Sequence, residues 1–292
     1  MKRFAGAVAF SLCLALSGTA AADAVSRGAY LVRAAGCVSC HTDVKGGGPA
    51  LAGGRALKTP FGIFYSPNIT PHPNMGIGAW SDGNFLAALG HGIRPDGSHY
   101  FPVFPYPSYA AMRAKDALAI KAYLFSQTPV ARLNKSHDVS PPFSWRWTVG
   151  FWKWLFFKPG PWRDRAEQDA QWNRGAYLVH AVSHCGECHT PRNFLGAMKP
   201  SRFLAGTLHG PDGDLVANIT SDPKTGIGDW SAADITRLLR DGTKPDYDNV
   251  QGSMAAVIRD SLVYLRDDDL NAIARYLRTV PAIDNRIQRQ AK

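Results

Sequence analysis

The chain carries Cys37-Val38-Ser39-Cys40-His41 and, much later, Cys185-Gly186-Glu187-Cys188-His189. Two thiols about one helical turn apart can each form a thioether to a haem vinyl group. A histidine directly after the second thiol then lies beneath the ring, where an imidazole nitrogen reaches iron. C-x-x-C-H is the attachment signature of c-type haem, and two copies predict two covalent haems. Cys37, Cys40, Cys185 and Cys188 would attach them, with His41 and His189 as proximal iron ligands. Other uses of these cysteines explain less. A four-cysteine zinc site gives no reason for a histidine in the same place twice. A thioredoxin-like pair needs a βαβ setting that is absent here. Of five cysteines, Cys13 lies in an N-terminal apolar segment and the two motifs use the rest, leaving none for disulfides.

The opposite face of each haem needs its own account. Met/His ligation raises the reduction potential, and Met254, in Gln251-Gly252-Ser253-Met254, stands where a loop must cross the second haem. The alternative is a core methionine filling a gap. Trp230 to Met254 is 24 residues, and the same step from Trp80 reaches Phe104, whose ring has no lone pair for iron. The first haem is therefore open on that side or takes another ligand. His99, Met112, His91 and Met75 are the candidates, with His99, on the same loop, preferred. Pro49 is expected to offer its carbonyl to His41; for Leu204-Ala205-Gly206 the equivalent acceptor has no assignment. Trp80 and Trp230 are read as indole donors to haem propionates or as core aromatics. Arg192 is read as a propionate partner or a solvated arginine. Asn68 and Asn218 join the cofactor-side set.

These residues sit in a repeat. Arg27–Val32 (RGAYLV) recurs at Arg174–Val179, Asn68-Ile69-Thr70 at Asn218-Ile219-Thr220, and Gly76-Ile77-Gly78 with Trp80-Ser81 at Gly226-Ile227-Gly228 with Trp230-Ser231. From Asn to Trp is 12 residues in both halves, so one fold is used twice. Each half reads as a helix into the attachment site (Arg27–Cys37, Arg174–Cys185), a middle helix capped by Ser81 or Ser231, and a closing helix (Asp116–Ser126, Asp268–Thr279). Ser231 with Asp234 makes the better capping box. Leu270, Ile273, Ala274 and Leu277 lie on one helical face. Strand-like alternation is scarce, so the expected class is all-α: two tandem helical bundles, each around one covalent haem c.

The expected division is a signal peptide over 1–22, a first domain over 23–133, a linker over 134–173 and a second domain over 174–292. Lys2 and Arg3, an apolar run over 4–17 and Ala20-Ala21-Ala22 have the form of a cleaved leader, with cleavage after Ala22. Export to the periplasm is expected, with the mature protein soluble or at most peripheral to a membrane. Formal charge is +10, and +8 without Lys2 and Arg3; an acidic protein partner or an anionic membrane surface suits it better than nucleic acid. Phe143–Phe157 packs eight aromatics into fifteen residues. It reads as a linker buried between the domains; an interfacial anchor and a docking patch for a partner are the alternatives.

Cys188–Asn193 (CHTPRN), Asn218–Ser231 (NITSDPKTGIGDWS) and the Met254 segment resemble di-haem class I cytochromes c. They are similar to the first two haem domains of cytochrome subunits that accept electrons from periplasmic alcohol or aldehyde dehydrogenases. The resemblance covers about residues 27–285. It departs in lacking a third C-x-x-C-H and in placing Phe104 where such subunits commonly carry methionine. It implies a periplasmic carrier taking single electrons from a dehydrogenase to another cytochrome or a terminal oxidase. The competing reading is a haem enzyme, a peroxidase or sulfur-compound oxidase with an open first haem; a small-gas sensor is a third.

Overall fold

The computed structural model describes residues 22–288; the leader lies almost wholly outside them. In the first half, helix α1 (residues 22–34) leads into the attachment turn α2 (Cys37–Cys40). It is followed by strands β1 (Ala56–Thr59) and β2 (Gly62–Tyr65), then α3 (Asp82–His91), a short α4 (Tyr106–Tyr109) and α5 (Ala114–Phe125). The linker supplies β3 (Asp138–Val139) and α6 (Arg146–Phe156). The second half repeats the order with α7 (Ala170–Tyr177), continued by a π-turn over Leu178–Val182, then the attachment turn α8 (Gly186–His189), α9 (Ala232–Asp241), α10 (Gly252–Asp260) and α11 (Asp267–Leu277).

Local chemistry explains the common frame. Ser81 and Ser231 both cap their helices, each accepting from the backbone N–H three residues on. Both helices have full capping boxes, so Asn84 serves as well as Asp234 and the expected difference between them disappears. The entry and closing helices of each half cross at a glycine. A Cβ on Gly28 would stand 1.9 Å from the Ala119 carbonyl oxygen, and one on Gly175 1.9 Å from that of Ala272. Leu270, Ile273, Ala274 and Leu277 are all buried, as their spacing predicts.

The all-helical expectation needs correction. The chain is helix-rich but has a small antiparallel sheet of order β1-β2-β3, with Ala56 opposite Tyr65 and Gly62 opposite Val139. Two- and four-residue strands are too short to display alternation. Phe64, Phe101 and Val149 form a small core beneath the sheet and seat α6 upon it. The equivalent segment of the second half has only the single bridge Thr207–Val216.

A larger apolar core runs through both halves, from Leu31, Ile120 and Leu124 to Tyr177, Leu270 and Ile273. Two buried carboxylates cross-brace it. Asp116 accepts from Arg27 of its own half and, at 2.6 Å, from the Tyr177 hydroxyl of the other. Asp269 accepts from Arg174 at 2.7 Å and, reciprocally, from the Tyr30 hydroxyl. Arg27, Tyr30, Arg174 and Tyr177 are the repeated RGAYLV residues, so the repeat encodes the contact between the halves.

Candidate haem-attachment sites

The two C-x-x-C-H segments adopt one structure. Each is a single helical turn entered by a residue of positive φ, Gly36 at 65° and His184 at 39°. All four cysteines are free. Burial pushes the Cys37 and Cys185 thiols up to about 12 and Cys188 up to about 11. A redox-active C-x-x-C pair needs the opposite shift, so the thioredoxin-like reading gains no support. Among the described residues no three or more His, Cys, Asp or Glu gather as metal ligands.

His41 Nδ1 lies 2.7 Å from the Pro67 carbonyl oxygen, and His189 Nδ1 lies 2.8 Å from that of Ala217. A carbonyl only accepts, so Nδ1 carries the proton and Nε2 keeps its lone pair. Burial also holds both imidazoles below the ordinary histidine pKa, favouring the neutral ring. A neutral histidine oriented by a carbonyl through Nδ1 is the form that binds a metal through Nε2. Thiols one turn apart beside such a histidine fit a covalently held haem, in both halves.

The orienting carbonyl corrects the expectation for Pro49. It comes from the residue before Asn-Ile-Thr in each half, a position the repeat contained without marking. Equivalent bonds hold that loop: Gly53 N–H donates to the His41 carbonyl and Gly206 N–H to that of His189, both at 2.7 Å. Thr42 and Thr190 accept from the Leu51 and Leu204 amides at 3.1 Å. Asn68 and Asn218 are taken up by protein partners. Their amides donate to the Val130 and Ile283 carbonyls and their oxygens accept from Thr70 and Thr220, so they brace the loop from behind.

The positions read as second ligands differ between the halves. Tyr100 N–H donates to Gly92 and Val250 N–H to Gly242, so Phe104 and Met254 each lie four residues past the same bond. Met254, in the first turn of α10, packs partly buried against the core. Phe104 packs its ring against Tyr100, Tyr106 and Tyr109, with centroids 5.3, 6.4 and 5.8 Å away.

Each of the other candidates has a setting of its own within the protein. His99, the preferred candidate, turns to α6, its Nδ1 accepting from Lys153 Nζ at 3.0 Å, with its Nε2 beside Gly150. Met112 is buried in the core, at the position Leu265 fills in the second half. Met75 sits in a turn whose amide donates to His72. His91 is exposed, and its carbonyl accepts from Lys153. Trp80 and Trp230 are partly buried against the core. Arg192 pairs with Glu187 at 2.6 Å and donates to the Gly196 carbonyl.

The linker also departs from expectation. Trp152 is partly buried and its indole donates to the Leu195 carbonyl, but Trp145, Trp147 and Trp154 are 48%, 71% and 75% exposed. Instead, Lys153 is turned inward, donating to the His91 and Gly92 carbonyls that end α3. On this helix Val149 and Lys153 face inward, while Trp147, Phe151 and Trp154 face outward. No described helix is long and apolar enough to cross a membrane.

No family model matches the chain. Curated relatives do. A protein of Cereibacter sphaeroides named diheme cytochrome c-type is 44% identical over 262 residues, covering 89% of this chain and 86% of the relative. The cytochrome c subunit of a quinone alcohol dehydrogenase from Gluconacetobacter polyoxogenes is 42% identical over 295 residues, 95% of this chain and 61% of the relative. The cytochrome subunit of a fructose dehydrogenase from Gluconobacter japonicus is 43% identical over 260 residues, 88% of this chain and 53% of the relative. The chain thus spans between half and two thirds of those two dehydrogenase subunits.

Proposed function

Since the chain belongs to the di-haem c-type cytochromes, an electron-transfer family, we propose that it takes single electrons from a periplasmic dehydrogenase and passes them to another cytochrome or a terminal oxidase. The observation that carries this reading is the duplicated neutral histidine, oriented by Pro67 in one half and Ala217 in the other. Haem c supplies one-electron redox chemistry when bound. The protein's part is to attach it through Cys37 and Cys40, or Cys185 and Cys188, to offer His41 or His189 to iron, and to set each potential through the opposite ligand and burial. Met254 is the second ligand of the second haem in this reading. The two halves act as tandem cytochrome c domains, 23–133 and 174–292.

The periplasm and cleavage of residues 1–22 belong to the same proposal, resting on the form of the leader. Fractionation with N-terminal sequencing of the mature protein tests them; cytoplasmic apoprotein retaining Met1 would overturn them. For electron transfer, the as-isolated protein should show two haems per chain in a pyridine haemochrome assay and be reduced by a quinone-dependent sugar or alcohol dehydrogenase. One haem per chain, or no reduction by any such donor, would sink the carrier reading.

The outward aromatics of α6, on a chain of formal charge +10, favour peripheral contact with an anionic membrane surface, where indoles sit at headgroup depth. Trp147→Ser with Trp154→Ser should abolish co-sedimentation with phosphatidylglycerol vesicles and leave thermal stability within about 0.5 kcal/mol. Undiminished vesicle binding would exclude this face. A haem enzyme working at the first site is favoured only by Phe104. Carbon monoxide binding together with peroxide turnover would support it.

A further inference from the structure

The two attachment segments are held together by more than a shared core. Asp116 and Asp269 are almost fully buried, and each is satisfied by an arginine of its own half and a tyrosine of the other. A buried carboxylate is costly unless fully paired, so neither half can slide without breaking both bridges. The amides of Arg113 and Arg266 repeat the symmetry by donating to the Tyr177 and Tyr30 hydroxyls at 3.2 and 3.3 Å.

Around this brace, the segment opposite one haem packs on the attachment segment of the other half. Helix α10, which carries Met254, packs on α2, and α4 packs on the π-turn before Cys185. Ser108 of α4 donates to Glu187, which lies between Cys185 and Cys188, at 2.6 Å.

His184 supplies the sharpest signal. It directly precedes Cys185, where Gly36 precedes Cys37, and holds a positive φ that glycine adopts freely and histidine does not. Its ring crosses to the first half. Nε2 donates to the Ala35 carbonyl at 3.3 Å, and the ring stands edge-on to Tyr109, 5.3 Å between centroids. Tyr109 donates to the same carbonyl at 2.7 Å. The residues beside the first cysteine of each motif therefore touch across the interface.

We propose that Tyr30, Tyr177 and His184 are positioning residues that fix the gap between the two haems, so that electrons exchange between them inside one chain. This rests on the two-haem reading above. With both haems held through Cys37, Cys40 and His41 and through Cys185, Cys188 and His189, the step would be a one-electron exchange in which one iron is oxidised as the other is reduced, with no bond broken and no proton moved. Its rate falls steeply with distance, which gives a rigid interface a purpose beyond stability.

The test uses the full di-haem protein. Haem stoichiometry is measured first; a single haem would fail the functional reading rather than this one. With two haems present, partly reduced protein is perturbed by a reducing flash and the redistribution of the electron is followed. In the unmutated protein the rate should not depend on protein concentration. Tyr30→Phe with Tyr177→Phe removes only the two cross-half hydroxyls, and His184→Gly installs the residue the first half uses. Each should slow the intramolecular phase several-fold and broaden the iron–iron distance distribution measured by dipolar EPR, with each haem's spectrum unchanged. A purely structural role would lower thermal stability but leave rate and distance as they were, overturning the proposal. So would an exchange rate proportional to protein concentration in the unmutated chain.

Discussion

The first and second C-x-x-C-H segments share a helical turn, a capped middle helix, histidine orientation and a buried brace, yet their halves carry different side chains at the position proposed for the second ligand. Phe104 and Met254 follow equivalent bonds by the same four residues, but only one of them has a lone pair for iron. A duplicated scaffold can thus be kept while the chemistry of one copy changes, because no scaffold bond passes through that side chain. The halves differ a second time in the linker. A sheet and helix α6 are built on the first half, with Trp152 reaching from α6 to the Leu195 carbonyl of the second, so the half that carries Phe104 is the one with the added elements.

The largest break in the symmetry comes from deleting one site. Cys185→Ala with Cys188→Ala should leave one haem per chain by haemochrome assay, with the His41 site intact. Loss of both haems would mean that the second site is needed to build the first.

Exchanging ligands is the next strongest perturbation. Met254→His should lower the potential of the second haem and remove the weak absorption band at the red end of the spectrum, because a soft thioether gives way to imidazole. Phe104→Met should move the first haem the other way, raising its potential and adding such a band. Before that change the first haem should bind carbon monoxide. If it already shows the methionine band, the assignment of Phe104 is wrong.

Equal effects are expected where the halves agree. Gly28→Ala and Gly175→Ala each drive a methyl into a carbonyl oxygen 1.9 Å away and should each cost about 1–3 kcal/mol in denaturant unfolding. A marked inequality would show that one helix crossing relaxes more readily than the other.

The smallest effect is a titration present in both halves. His137, against Phe64 and Phe101, and His180, stacked on Phe203, are held down to about 4, chiefly by burial. Between pH 6.5 and 4 the unfolded chain takes up protons that the folded chain refuses. Stability is therefore full above about 6.5 and declines as pH falls toward 4. Thermal melts across that range should show the slope, and His137→Phe or His180→Phe should each remove part of it.

Much of this was legible in the residues. Cys37, Cys40, His41 and their counterparts announce themselves because C-x-x-C-H places two thiols and an imidazole within about one helical turn. The caps at Ser81 and Ser231 and the face of α11 follow equally local rules. Met254 and Phe104 were found by counting along a repeat, which works while two copies keep their length. Pro49 failed because hydrogen-bond acceptors are chosen by chain reversal, and the loop bringing Pro67 over His41 is closed by bonds from Asn68 to residues more than 60 positions away. The aromatic linker failed because composition reports how much apolar surface exists and not which way it turns; Lys153, drawn inward by two carbonyls, decides that.

The sequence by itself determined where the two C-x-x-C-H segments lie, which histidine closes each, and that one frame is used twice. Those follow from covalent geometry and short-range periodicity, which involve neighbours in the chain. Only the tertiary structure decided that RGAYLV is the contact between the halves, that His184 reaches into the other half, and that the outer face of α6 is aromatic. Each depends on side-chain direction and on partners tens to hundreds of residues apart, and burial energy, not spacing, selects among them.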